Sequence, residues 1–505
     1  MDKKLVALTA AAYLGTFIAD IDITIVNVAL PSIQADVDAS LAGLQWIVNA
    51  YAVCLAAFML SASGLSNKFG LKRIWMLAMA LFTAASLLCA FAGSIGLLLV
   101  ARSVQGAAGA VIIPGAMSII FHAFDDAKLR AKVIGGWSTF SAIGLIVGPL
   151  LGGLLVDSTG WPSIFLINIP LGIVALALGG WGMKEIAVEK ALRLDVAGQI
   201  LSILWLGGMT YALIAAGQHG LLSPAATVPF TGSCLLFAAF LYQQSRTANP
   251  LLPLPLFRQS DFGIPNLASF ILGFSTYSSL FFFSLYFQNA QGASASEAGV
   301  RMMPQFLLTA VVSLFFGRLH ARISAQWLMV GSYALIGIAM TLLYFAGVDT
   351  GYVYTGSLLA LMGVGMGVAV PVTGVCVLGA VNKSRFATAS AVMNALRQGG
   401  MAFGIAILGA LLGAEAVRYA TRLMTADGIP QAALRSQALV FTTATDATAA
   451  PALHYYREAI AHGFQMAMLV AGAACLVMAA ILAFQGRSTP ACATGRAAPH
   501  TKQLE

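Results

Sequence analysis

Charge is what this sequence has least of. Asp, Glu, Lys and Arg make up 9% of its 505 residues, while 59% are hydrophobic; a soluble chain carries about 25% charged residues. Too few polar side chains remain to cover the surface of a soluble domain, so that class is excluded. Cysteine is also sparse. The six, Cys54, Cys89, Cys234, Cys376, Cys475 and Cys492, show no paired spacing, so neither a disulfide framework nor a metal site is suggested. The six histidines form no H-E-x-x-H or similar box, which argues against an intramembrane metalloenzyme. Neither a metal nor a cofactor is expected.

What is abundant is uninterrupted apolar sequence. A helix needs roughly 20 such residues to cross about 30 Å of hydrocarbon. Fourteen runs qualify, at approximately 5–29, 45–65, 74–92, 96–120, 132–156, 163–181, 195–217, 225–243, 263–289, 298–317, 327–346, 352–376, 386–413 and 464–485. Lys3 and Lys4 ahead of the first run could open a cleavable signal. The run continues through Asp22 to Pro31 without a convincing processing site, so it is read as a retained helix. With the N-terminus in the cytoplasm, the inner segments hold 20 of the 27 Lys and Arg, among them Lys68, Lys72, Arg73, Lys190, Arg193, Lys383, Arg385, Arg487, Arg496 and Lys502. The short outer loops hold none, so both termini are expected in the cytoplasm, at a cytoplasmic (inner) membrane. The net charge of +8 reads as orientation, and no nucleic-acid partner is expected.

Glycine punctuates the fifth run. Gly144, Gly148 and Gly152 recur every four residues and form a side-chain-free stripe on which another helix can close; Pro149 beside it removes one backbone donor. The chain also repeats itself. SGLSNKFGLKR (63–73) follows the second run and GRLHARIS (317–324) the tenth, and the thirteenth run carries Gly399, Gly400, Gly404 and Gly409 where the fifth carries its stripe. These repeats indicate a 6+2+6 plan: six helices in 1–194, two inserted helices and a Pro-stiffened inner linker in 195–262, and six more in 263–485. An external loop is expected at 414–463 and a disordered cytoplasmic tail from Gly486 to 505. Internal symmetry of this kind marks a secondary transporter with its site between the halves.

Five motifs in order carry a resemblance to a known family. Asp22-Ile-Thr24-Ile-Val-Asn27-Val-Ala-Leu-Pro31 matches D-x-T-x-x-N-V-A-L-P, and Arg102-Ser-Val-Gln105-Gly106-Ala-Ala-Gly109 matches R-x-x-q-G-x-x-G. Gly144 through Gly153 matches the antiporter motif G-x-x-x-G-P-x-x-G-G. Trp161 and Ile164-Phe165-Leu-Ile-Asn168-Ile-Pro170 come next, and Arg397-Gln398-Gly399-Gly400 matches a signature of the thirteenth helix. Over nearly its whole length the chain resembles the fourteen-helix drug:proton antiporters of the major facilitator superfamily, the EmrB/QacA type. That resemblance implies an all-α integral membrane protein with the major facilitator fold. It also implies a cytoplasmic gate at the turn carrying Asn67, Gly70 and Arg73. There the chain departs from the family, with Ser63 in place of a Gly and Asn67 in place of a carboxylate.

Charges inside the runs are the candidates for chemistry, because an ion at a helix centre costs about 2.5–3.5 kcal/mol on insertion scales and pairs or faces water. Asp22 reads as a proton-binding carboxylate or as the structural partner of a buried Arg. Arg102 tunes that acid or ties helices together. Asp20 and Arg397 are open to coupling or to structural pairing. Asp20 and Asp22 are two residues apart, about 200° around a helix, and point different ways. Glu297 is expected to cap a helix start. Phe270, Phe274, Tyr277 and Phe281 share one face on α-helical spacing and form a candidate substrate pocket, with lipid contact the alternative.

The expected activity is proton-coupled efflux of small amphipathic compounds, such as drugs or toxic metabolites, by alternating access. A dedicated exporter of one metabolite or biosynthetic product is the alternative. A membrane receptor or enzyme is remote, with no catalytic box in the chain. The expected partners are a small-molecule substrate, protons and the lipid bilayer, joined by a periplasmic adaptor if the cell has two membranes.

Overall fold

The computed structural model describes residues 2–185, 194–382, 385–441 and 450–485, and among them every regular element is helical. Lys190, Arg193, Lys383, Asp446, Arg487, Cys492, Arg496, Lys502 and the tail from Gly486 lie outside the described residues. All fourteen apolar runs become helices long and apolar enough to cross a membrane, and the protein is a multi-pass membrane protein.

The first group of helices is α1 (Lys3–Asp36), α2 (Leu41–Met59), α3 (Ala62–Phe69), α4 (Leu71–Ala90), α5 (Ile95–Ala123), α6 (Ala127–Thr159), α7 (Ser163–Leu166) and α8 (Asn168–Gly182). Ser40, Ser94 and Asp126 each accept a hydrogen bond from a first-turn amide of α2, α5 and α6, which sets where those helices begin. α3 and α4 meet at Gly70, whose φ of +102° strains any residue with a Cβ. Then come α9 (Val196–His219) and α10 (Pro224–Arg246), followed by the short α11 (Leu254–Phe257). The last group is α12 (Ser260–Leu272), α13 (Ser279–Leu285), α14 (Ala295–His320), α15 (Ala325–Leu342), α16 (Tyr352–Gly379), α17 (Phe386–Ala426), α18 (Ala432–Phe441) and α19 (Ala450–Gln485). At the start of α14, Ser294 and Glu297 form a reciprocal capping box.

One sequence expectation shifts, and the expected loop at 414–463 gains detail. The ninth run is not one α-helix: residues 273–277 and 286–290 are π-turns flanking α13. Each π-turn inserts a residue into the ladder and rotates the helix beyond it, so the spacing of Phe270, Phe274, Tyr277 and Phe281 no longer defines one face. The stretch 414–463 is also mostly helix, since α17 continues to Ala426, α18 spans Ala432–Phe441 and α19 begins at Ala450.

The same packing scheme occurs twice. In the first group α1 packs on α6 and α8, α2 on α5, and α4 on α5 and α8; in the last, α12 and the turn 273–277 pack on α17, α14 on α16, and α15 on α16 and α19. The groups meet where α6 crosses α14 and where α2 crosses α17. Their closest contacts gather at one end. There Ser296 N donates to Asp157 Oδ2 at 2.9 Å, Gln288 Nε2 donates to the Val28 carbonyl at 3.0 Å, and Gly153 and Gly299 lie against the backbones of Ala295 and Pro149. The other end carries Lys68, Lys72, Arg73, Arg318 and Arg385. A groove of about 560 Å³ opens at that basic end, between Asn67, Arg385, Asp195 and the linker around Pro250.

Candidate functional site

Three of the sequence motifs meet at one buried cluster. Asp22, midway along α1, takes an ion pair from Arg102 Nη1 of α5. Its other oxygen, Oδ1, accepts from Gln105 Nε2 at 3.3 Å and from Asn168 Nδ2 of α8 at 3.2 Å. Arg102 Nη1 also donates to Gln105 Oε1 at 2.9 Å, and its Nε donates to the Ile47 carbonyl at 3.3 Å. The guanidinium lies over Tyr51 at 4.4 Å and near Phe165 at 5.8 Å, so its faces are covered by rings as well. Asp22 and Arg102 are 0% and 1% exposed. A buried pair persists only when its remaining lone pairs and protons find partners, and here nearly all do.

The glycines of the second motif explain how the cluster closes. A Cβ on Gly106 would collide with the Tyr51 carbonyl and one on Gly109 would press on the Tyr51 hydroxyl, so only glycine lets α2 come near enough to lay Tyr51 over the arginine. Sequence reading missed Ser86 of α4, whose Oγ accepts from Gln105 at 2.8 Å and from Asn168 at 3.4 Å. It also missed Tyr51. Neither carries charge or sits in a motif, so nothing in the chain marked them.

Asp20 points away from this cluster, toward α6. Its carboxylate is 7% exposed and accepts a hydrogen bond from Ser141 Oγ. No ion pair reaches it among the described residues. Asp20 and Asp22 thus have different company, one a hydroxyl and the other a guanidinium. The glycine stripe of α6 meets α1 of its own group: a Cβ on Gly148 would strike Thr24 Oγ1, and one on Gly152 would sit 2.7 Å from Ile25 and Val28. Gly153 and the Pro149 carbonyl turn to the opposite group, meeting Ala295 and Gly299.

In the last group, Arg397 is 9% exposed and its Cζ stands 5.8 Å from the Tyr277 ring. Phe270 and Tyr277 remain half-buried, Phe274 is nearly covered, and Phe281 is fully buried against Phe282. Phe281 therefore borders no open space in this conformation. At the basic turn, Asn67 lines the groove. Glu185 Oε1 and Oε2 accept from the backbone amides of Lys72 and Arg73 at 3.1 and 3.2 Å, placing a carboxylate at the start of α4. A negative group there complements the helix dipole. Arg73, largely exposed, adds only a loose pairing with Glu185 at 3.7 Å.

Residues 12–405 match the family model for the Major Facilitator Superfamily. The chain is 33% identical over 408 residues to the methylenomycin A resistance protein of Bacillus subtilis (strain 168), covering 81% of this chain and 87% of that protein. It is 34% identical over 420 residues to the multidrug resistance protein Stp of Mycobacterium tuberculosis (strain CDC 1551 / Oshkosh), covering 82% and 77%. Against the tetracenomycin C resistance and export protein of Streptomyces glaucescens, identity is 29% over 494 residues, covering 95% and 91%. Among solved structures, an inward-facing, unoccupied bacterial homolog of the human lysosomal transporter Spinster superposes with a TM-score of 0.65 at 18% identity, covering 99% of this chain and all of that one.

Proposed function

This chain belongs to the major facilitator superfamily and is an efflux transporter, and we propose that it exports small amphipathic compounds in exchange for protons across the cytoplasmic membrane. Relatives named for resistance to methylenomycin A, for multidrug resistance and for tetracenomycin C export support efflux of compounds of that kind. The observation that carries proton exchange is the Asp22–Arg102 cluster, a titratable acid buried at mid-span and held by a cation on another helix. An exchanger needs a group whose proton affinity differs between its two states, and the size of that difference is the coupling free energy. Asp22 meets the requirement if Arg102 stays beside it in one state and withdraws in the other. The two six-helix groups then move as halves, with α9 and α10 as the insertion and Asn67, Gly70 and Arg73 at the cytoplasmic gate. Lys and Arg at the basic end favour a cytoplasmic face there, with both termini on it. This conformation is then the one closed to the outside.

Purified protein in liposomes, given an imposed pH gradient and a fluorescent amphipathic dye, tests the reading. Gradient-driven dye movement is expected for the wild type and not for Asp22→Asn; movement by both with the same pH dependence would place proton coupling elsewhere. Orientation is tested with cysteines placed at the exposed positions Gln437 and Ser63 in a background lacking the native thiols. An impermeant reagent applied to cells is expected to label the first and spare the second.

A further inference from the structure

Arg102 and Arg397 are both buried deep in their helices, and only one has a counterion. Arg102 is enclosed by Asp22, Gln105, Tyr51 and a backbone carbonyl. Arg397, well inside α17, has no ion pair and no hydrogen bond to its Nε among the described residues. Beside it in sequence, Gln398 is 8% exposed and its Oε1 is likewise without a partner. The backbone here has no freedom to withdraw, since Gly273 packs directly on the Arg397 carbonyl and Gly400 on that of Phe270. A guanidinium keeps its charge at any physiological pH, so deprotonation offers no relief. Burying such a group without an anion is costly, and a carboxylate or other oxyanion able to accept two parallel N–H bonds offsets that cost best.

The two acids midway along α1 are engaged elsewhere, Asp22 with Arg102 and Asp20 with Ser141 of α6. Tyr277 shows where the arginine looks. It is half-buried between stretches that are buried, and it lies two turns from Ser284, whose Oγ donates to the Asn27 carbonyl of the opposite group at 2.5 Å. Tyr277 and the guanidinium beside it therefore border the space between the two groups.

We propose that Arg397, with Tyr277, is the site that receives the anionic group of the exported compound, and that the substrates are amphipathic organic anions such as carboxylates. The apolar body of such a molecule lies against Tyr277 and Phe270, and the guanidinium takes its oxygens pairwise. This rests on the efflux reading and narrows it, because a cation entering the same place meets a fixed positive charge.

The probes are 2-naphthoate and its uncharged near-isostere 2-naphthamide, titrated against the full chain in lipid nanodiscs with the thermal midpoint as readout. Naphthoate is expected to stabilise the wild type saturably, with apparent affinity about tenfold or more weaker in Arg397→Gln and intermediate in Arg397→Lys, while naphthamide distinguishes the three poorly. Unliganded midpoints and size-exclusion profiles establish that the variants fold. Equal naphthoate binding by wild type and Arg397→Gln overturns the proposal, and so does parallel loss of both compounds, which makes Arg397 a shaping residue. No stabilisation of the wild type by millimolar naphthoate also overturns it. In that case dye export driven by the wild type in cells leaves the efflux reading standing while the anion site falls.

Discussion

Helices α6 and α17 hold matching places, each laid along the first helix of its own group and each turning one later glycine to the other group. On α6, Gly144, Gly148 and Gly152 accept α1, and Gly153 meets Ala295 of α14. On α17, Gly400 and Gly404 accept the backbones of Phe270 and Phe274, and Gly409 meets Gln45 of α2. The fillings differ. α1 is continuous and puts Asp22 against α5 and Asp20 against α6, whereas its counterpart breaks into π-turns and leaves Arg397 of α17 without a carboxylate among the described residues. Their surroundings differ as well. α9 covers the crossing of α2 and α17 along its length, with Gln199 donating to the Ala57 carbonyl at one end and Gly217 against Ala410 at the other. Neither α9 nor α10 packs in this way across the crossing of α6 and α14. The lesson is that one backbone plan can carry an extra helix across one crossing and not across the other.

The sharpest way to break this comparison is to unbalance the filled half. Asp22→Asn strands Arg102, and breaking a buried pair from one side costs about 3–5 kcal/mol; a marked fall in thermal midpoint is expected. The double variant Asp22→Asn with Arg102→Gln is expected to recover part of that loss, and a double variant no more stable than the single one would mean that the pair is not what the cluster depends on. Next in size is Gly148→Leu, which drives a branched side chain into Thr24 and the Ile21 carbonyl; overpacking costs about 1–3 kcal/mol. Since the stripe faces its own group, the expected loss is in folded yield, read by size-exclusion, before any loss in cycling.

On α17 the comparison predicts a contrast between neighbours. Gly400→Ala collides with the Phe270 carbonyl and is expected to destabilise, while a Cβ on Gly399 meets nothing within 4 Å and Gly399→Ala is expected to be neutral or better. Equal midpoints for the two would show that α17 sits differently against α12. The smallest effect is expected for Asp20→Asn, because an amide oxygen still accepts from Ser141; about 1 kcal/mol or less is at stake. A midpoint change as large as that of Asp22→Asn would erase the distinction between the two acids.

How much of this was legible beforehand depends on the kind of signal. Apolar runs about as long as a bilayer is thick cannot do anything else, so all fourteen spans could be read directly, and the capping box at Ser294 and Glu297 followed from local hydrogen bonding alone. The 200° separation of Asp20 from Asp22 was likewise a matter of helix geometry, and the two acids do face different helices. The π-turns around α13 were not legible, because they are set by how that helix fits its neighbours, and they undid the aromatic face that regular spacing predicts.

The sequence by itself determined what lies in the membrane and which few charges must be satisfied there, since both follow from the cost of exposing polar groups to hydrocarbon. Only the tertiary structure decided who satisfies them. Asp22, Arg102, Gln105 and Asn168 come from three separate helices, and Ser86 and Tyr51 from two more, joined by approaches that Gly106 and Gly109 permit. Arg102 and Arg397 look alike in the sequence, each a lone arginine in its apolar run. One acquires a carboxylate and the other does not, because a counterion depends on which backbones can come within hydrogen-bonding reach across the fold.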